Sequence, residues 1–97
     1  MKATGWKGET LGVRVGVENR QHYFSKDWTA VQIELDGQVG SFPLTSGFWR
    51  ECPEIRGKEI QEWMLKHGLA PWPHGRPPEL ELTPLGGPLF RLSATRS

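Results

Sequence analysis

Residues 67–78 read HGLAPWPHGRPP. Two histidines, a tryptophan, an arginine and four prolines crowd into this stretch. Side chains of these types can ligate a metal, shuttle a proton, stack on a flat ligand or neutralise a phosphate. Metal ligation fits poorly. His22, Cys52, His67 and His74 follow no zinc-ligand spacing, and His67 and His74 form neither a helical i,i+4 pair nor a finger. Catalysis fits no better. Gly86-Gly87 lies in a hairpin turn, not between a strand and a helix where a phosphate loop would sit. Cys52 next to a helix start could carry a lowered pKa, but free cysteines are mostly buried and inert. Glu59 and Glu62 stand among lysines on a solvated helix face. The expectation is a non-enzymatic protein with no cofactor and no metal.

Two binding readings remain. A sheet that shows cations and flat rings can stack bases and neutralise phosphates. Arg14, Arg20, Lys26 and Trp28 fall on or beside the first strands, Arg50 just before the main helix, and Trp72, His74 and Arg76 in the proline-rich loop. These eight form the candidate nucleic-acid-binding set. If the prolines hold the loop extended, Trp72 and Arg76 stand roughly 12 Å apart, at about 3.1 Å per residue. The alternative is a protein-interaction module that presents residues 71–78, or the edge strand of an open sheet, to a partner.

Charge separates the readings only partly. The net charge is +1, far from the excess of a dedicated nucleic-acid binder. Its distribution is uneven. Lys2, Lys7, Arg14, Arg20 and Lys26 outweigh Glu9 and Glu18 in residues 1–26. Asp27, Glu34, Asp36, Glu51 and Glu54 outweigh Arg50 in residues 27–54. One cysteine allows no internal disulfide, no apolar run is long enough to span a membrane, and MKATGWKGET shows no signal-type apolar stretch. The expected location is the cytoplasm.

The elements that position these residues follow from periodicity. A chain of 97 residues with 36% apolar content supports one core and one domain, with residues 1–8 and 94–97 read as frayed ends. Five Trp, four Phe and one Tyr, each able to bury roughly 150–250 Å², supply much of that core. LGVRVGVEN (11–19) alternates Leu11, Val13, Val15 and Val17 against Gly12, Arg14, Gly16 and Glu18, which predicts one strand. TAVQIELDGQVGSFPL (29–44) predicts a hairpin about a type I′ turn at Asp36-Gly37. Its register sets Leu35 against Gln38, Ile33 against Gly40, Val31 against Phe42 and Thr29 against Leu44.

Pro53 and Glu54 read as the first turn of the one convincing helix. Ile60, Trp63, Met64 and His67 form its buried stripe. Gly68 is placed as the left-handed residue past its end, with Leu69 folding back. ELELTPLGGPLFRLS (79–93) predicts a second hairpin. The expected fold is α+β: a small antiparallel five-stranded sheet or half-open barrel, order β-β-β-α-β-β, with one helix on one face.

Overall fold

A computed structural model describes residues 1–95. The fold is α+β, and its sheet curls nearly into a barrel. The sheet has seven strands rather than five. They are β1 (Lys2–Lys7), β2 (Leu11–Arg14), β3 (Ala30–Leu35), β4 (Gln38–Pro43), β5 (Glu54–Arg56), β6 (Glu79–Gly86) and β7 (Leu89–Ala94). Among the described residues three helices interrupt them: α1 (Val17–Tyr23), α2 (Ser46–Arg50) and α3 (Lys58–Lys66). The strand order is β4-β3-β7-β6-β1-β2-β5. All neighbours pair antiparallel except β3 and β7, which run parallel. The two edges approach each other: a Cβ on Gly57, just after β5, would stand 2.8 Å from the Phe42 ring of β4. Glycine there leaves room for a buried aromatic ring where the two edges approach.

The best-marked hairpin has the register its sequence predicts. Leu35 pairs with Gln38, Ile33 with Gly40 and Val31 with Phe42, and the Leu44 amide donates to the Thr29 carbonyl at 2.8 Å. Asp36 and Gly37 both have positive φ, 52° and 86°, as a type I′ turn requires. The second hairpin also forms, as β6 and β7, with an irregularity between Pro84 and Gly86.

Four expectations need correction. Residues 2–7 are not frayed: β1 pairs with β2 on one side and β6 on the other. Its inward residues are the small Ala3 and Gly5, so it carries no apolar alternation to read. A Cβ on Gly5 would meet the Pro78 ring at 2.7 Å, which explains the glycine. At the other end, Ala94 belongs to β7 and the Thr95 amide bonds to the Glu79 carbonyl; residues 96–97 lie outside the described residues.

The strand read over 11–19 stops at Arg14. Gly16 turns the chain at φ 88°, and Asn19 Nδ2 donates to the carbonyls of Val15 and Lys2, both at 2.8 Å. Val15 is buried while Val17 is exposed, so the alternation ran on past the structural break. The helix begins at Lys58, not Pro53. The Pro53 carbonyl instead accepts from the Val15 amide at 2.9 Å, and Ile55 points fully buried from β5 into the core. Finally, the single expected helix is joined by α1 and α2; α2 is one short turn after Thr45 that delivers Phe48 to the core.

Of the four residues expected on the buried stripe of α3, three lie inside, while His67 is the helix C-cap and only partly buried. Ile60, Trp63 and Met64 are buried. The helix ends in a Schellman motif: the Leu69 amide donates to the Met64 carbonyl at 2.9 Å and the Gly68 amide to the Leu65 carbonyl at 3.2 Å. Gly68 has φ 69°. A Cβ there would meet nothing within 4 Å, so the cost of Gly68→Ala is conformational alone. It is expected to destabilise by about 1 kcal/mol, read as a lower urea midpoint; an unchanged midpoint would contradict this helix ending.

The last turn of α3 also holds the β3–β4 hairpin. Trp63 Nε1 donates to Asp36 Oδ1 at 3.3 Å and Lys66 Nζ to Oδ2 at 3.2 Å. His67 Nε2 lies 2.8 Å from the same Oδ2. The hydrogen bonds from His67 and then Lys66 hold the Asp36 carboxyl below the usual carboxylate range. His67 is thus a clamp on the hairpin turn.

Candidate nucleic-acid interface

Alternation gives β1, β2 and β5 two distinct faces. Gly5, Val13 and Ile55 form one cross-strand row, and Val13 and Ile55 are fully buried. The next rows face outward. Trp6 pairs with Gly12, and Gly12 with Arg56; Thr4 pairs with Arg14, and Arg14 with Glu54. The Arg56 guanidinium carbon lies 5.4 Å from the centre of the Trp6 ring, within cation–π range. It reaches across Gly12, where a Cβ would collide with the Ile55 carbonyl at 2.6 Å and with Arg56 Cβ at 2.9 Å. Gly8 leaves room for the far edge of the same indole. A half-buried tryptophan is therefore laid on bare backbone with a guanidinium held over it.

Of the eight residues selected from the sequence, Arg14 stands on this face. Its Nε lies 3.7 Å from Glu54 Oε2. The Glu54 side chain is only 10% exposed, and that oxygen has no hydrogen-bond partner. Arg14 itself is half-exposed, so its other nitrogens remain available to a ligand. Glu54 also acts on Cys52: the neighbouring carboxylate pushes the thiol pKa up. Cys52 is exposed, but a raised pKa keeps it protonated and a poor nucleophile.

The other seven lie elsewhere. Arg20, on α1, donates from Nη1 to the Phe48 carbonyl at 2.7 Å, which ties α1 to α2. Trp28 packs edge-on against Phe24 and Phe90, at 6.0 and 6.2 Å between ring centres. Lys26 and Arg50 are exposed, in the turn after α1 and on α2 respectively. Trp72 is half-buried against the core, and a Cβ on Gly5 would meet its ring at 3.2 Å. His74 and Arg76 are exposed, but the loop is not extended through them. The Arg76 amide donates to the Pro73 carbonyl at 3.0 Å, and Gly75 has φ 78°. Residues 73–76 form a β-turn of the kind that needs glycine at its third position. The separation of roughly 12 Å expected for an extended Trp72–Arg76 segment therefore does not apply. The Pro78 carbonyl then accepts from the Gly5 amide at 2.9 Å and returns the chain to the sheet.

Trp6 and Arg56 were missed because each sits in a segment read as something else, a frayed end and the edge of a helix. The usable signal was Trp6 followed by glycines at positions 8 and 12, a ring with no bulky neighbours across its strand. Among the described residues, no group of three His, Cys, Asp or Glu side chains is placed to hold a metal ion, and no helix is long and apolar enough to cross a membrane. The geometry stands without a relative to lean on: no family model, no curated protein and no solved structure matches this chain.

Proposed function

We propose that this domain is a non-enzymatic module that binds single-stranded nucleic acid across the outer face of β1, β2 and β5. The observation that carries the reading is the Arg56 guanidinium held over the Trp6 ring on an outward sheet face. A guanidinium plane can stack on a base and also neutralise a phosphate. Its position over the ring is set before the ligand arrives, so little side-chain entropy is lost on binding. Arg14, one row along, and Lys2, at the start of β1, continue the positive charge along the face. Glu79 and Glu81 of β6 pair beside Thr4 and Lys2; Glu81 is engaged by the Met1 ammonium, and Glu79 bounds the strip on its other side by repelling phosphate. A single strand suits this face better than a duplex, because its bases are free to stack.

Three cations imply weak, salt-sensitive binding. With a slope of about 0.7 per phosphate contact on single strands, log K should fall with log salt with a slope of about −2. Anisotropy titration of a fluorescein-labelled oligothymidylate at several salt concentrations checks this. Arg56→Ala should weaken binding and make the slope shallower by about 0.7. Trp6→Ala should weaken binding by about 1–3 kcal/mol while Trp6→Phe retains most of the affinity. Wild-type affinity in Trp6→Ala, or no binding at low salt, would defeat the proposal.

A further inference from the structure

A different part of the molecule suggests a second ligand. β4 is an edge strand, first in the sheet order. In an antiparallel ladder, paired residues alternate between those that bond each other and those that turn their backbone groups away. The bond from the Leu44 amide to the Thr29 carbonyl marks Thr29 and Leu44 as a bonding pair. Counting along the register, Val31–Phe42, Ile33–Gly40 and Leu35–Gln38 are bonding pairs too. Val39, Ser41 and Pro43 therefore turn their backbone groups outward, away from β3. Pro43 has no N–H to offer, and it limits the usable edge to Val39–Ser41. Val39 is 58% exposed, an unusual place for a β-branched side chain on a free edge.

This edge does not face open solvent alone. A cleft of about 350 Å³ runs between it and α3, lined by Gln38, Val39 and Gly40 on one wall and by Glu59, Glu62 and Trp63 on the other. Gly40 leaves its own position in the cleft without a side chain. Glu59 and Glu62 lie on one helical face with Trp63 and Lys66, and Lys66 is engaged with Asp36. With Asp36 held by Lys66 and His67, Glu59 and Glu62 supply the cleft's remaining charge, which is negative.

We infer that β4 accepts an extended peptide strand, pairing antiparallel with Val39–Ser41, that carries a lysine or arginine beside Gly40. Val39 and Ser41 each exchange N–H and C=O with one residue of the peptide. The residue between those two sits opposite Gly40, and its side chain enters the cleft toward Glu59 and Glu62. Its aliphatic stem lies along the edge of Trp63 that lines the cleft, and its cationic head meets the carboxylates. Backbone pairing gives the affinity and the cleft selects the central side chain. The nucleic-acid face on β1, β2 and β5 uses none of these residues.

The probe is the capped pentapeptide threonine-valine-lysine-valine-threonine, titrated into the full ¹⁵N-labelled chain. The Val39 and Ser41 amides should shift and become protected from hydrogen exchange. A peptide N-methylated at both valines, which lacks the pairing donors, should not bind. The same peptide with a central glutamate should bind more weakly, and Glu59→Lys with Glu62→Lys should lower the affinity for the lysine peptide by about tenfold. Both positions are exposed, so an unchanged melting curve shows that this loss is not unfolding. The inference is overturned if the β4 amides stay in place at millimolar peptide. Equal binding by the N-methylated peptide, or equal binding with a central glutamate, overturns it as well. Concentration-dependent shifts of the same amides without peptide would assign the edge to a second copy of this chain instead.

Discussion

Trp63→Ala is expected to remove about 3–5 kcal/mol of stability, the range for a large aromatic deleted from a core. Trp63 is 5% exposed and sits with Ile60 and Met64 on the buried face of α3. Its indole N–H also holds Asp36 at the β3–β4 turn, so the deletion loosens the hairpin as well as the core. A domain of this size has only about 5–15 kcal/mol in total, and the variant should be close to unfolding. Trp63→Phe separates the two contributions, since it keeps most of the ring and loses the hydrogen bond. It should cost clearly less. Urea unfolding followed by far-ultraviolet circular dichroism measures both. A midpoint unchanged in Trp63→Ala would mean that α3 packs by another face.

Phe90→Ala should cost a comparable amount, about 3–5 kcal/mol. Phe90 is 1% exposed on β7, the strand joined to β3 by parallel pairing and to β6 by antiparallel pairing. Its ring stacks on Phe24 at 4.9 Å and 16° and takes the edge of Trp28. Phe24 in turn packs on Phe48 of α2 at 5.2 Å. Removing Phe90 therefore opens a cavity shared by the sheet, the segment after α1 and α2. Phe90→Leu refills part of it and should cost about 1.5 kcal/mol or less. The Trp28 near-ultraviolet signal should change in both variants. A loss below about 1 kcal/mol in Phe90→Ala would contradict the packing, and it would return Trp28 to the set of free, ligand-facing rings.

What the sequence reveals here depends on how a residue announces its surroundings. Asp36-Gly37 specifies a turn by backbone conformation alone, so the register of β3 and β4 was readable to the residue. Gly68 and Leu69 mark a helix end for the same reason. β1 is central in the sheet yet was unreadable, because its inner positions are Ala3 and Gly5. These stay small because Pro78 and Trp72 approach from later in the chain, and no local pattern carries that information. β5 was hidden by Pro53, which suits a helix start equally well; the choice is made by Val15 bonding to its carbonyl. α1 was hidden by a valine alternation that continues past the left-handed Gly16.

The candidate site divides along the same line. Arg14 was legible because it alternates with buried valines. Arg20 and Trp72 are residues of suitable chemistry whose contacts are internal, a carbonyl of α2 and the floor under Gly5. Trp6 and Arg56 are fifty positions apart and meet only because β2 lies between them. Their pairing is a property of the sheet order, which periodicity does not reach.

The outer face of β1, β2 and β5 is tested most directly by a ¹⁵N–¹H correlation spectrum of the chain titrated with oligothymidylate at low salt. The Trp6 indole N–H and the amides of Gly12, Arg14 and Arg56 should move together, and added salt should reverse their shifts. Resonances of this face that stay fixed while the oligonucleotide binds elsewhere, or fails to bind, would contradict the account.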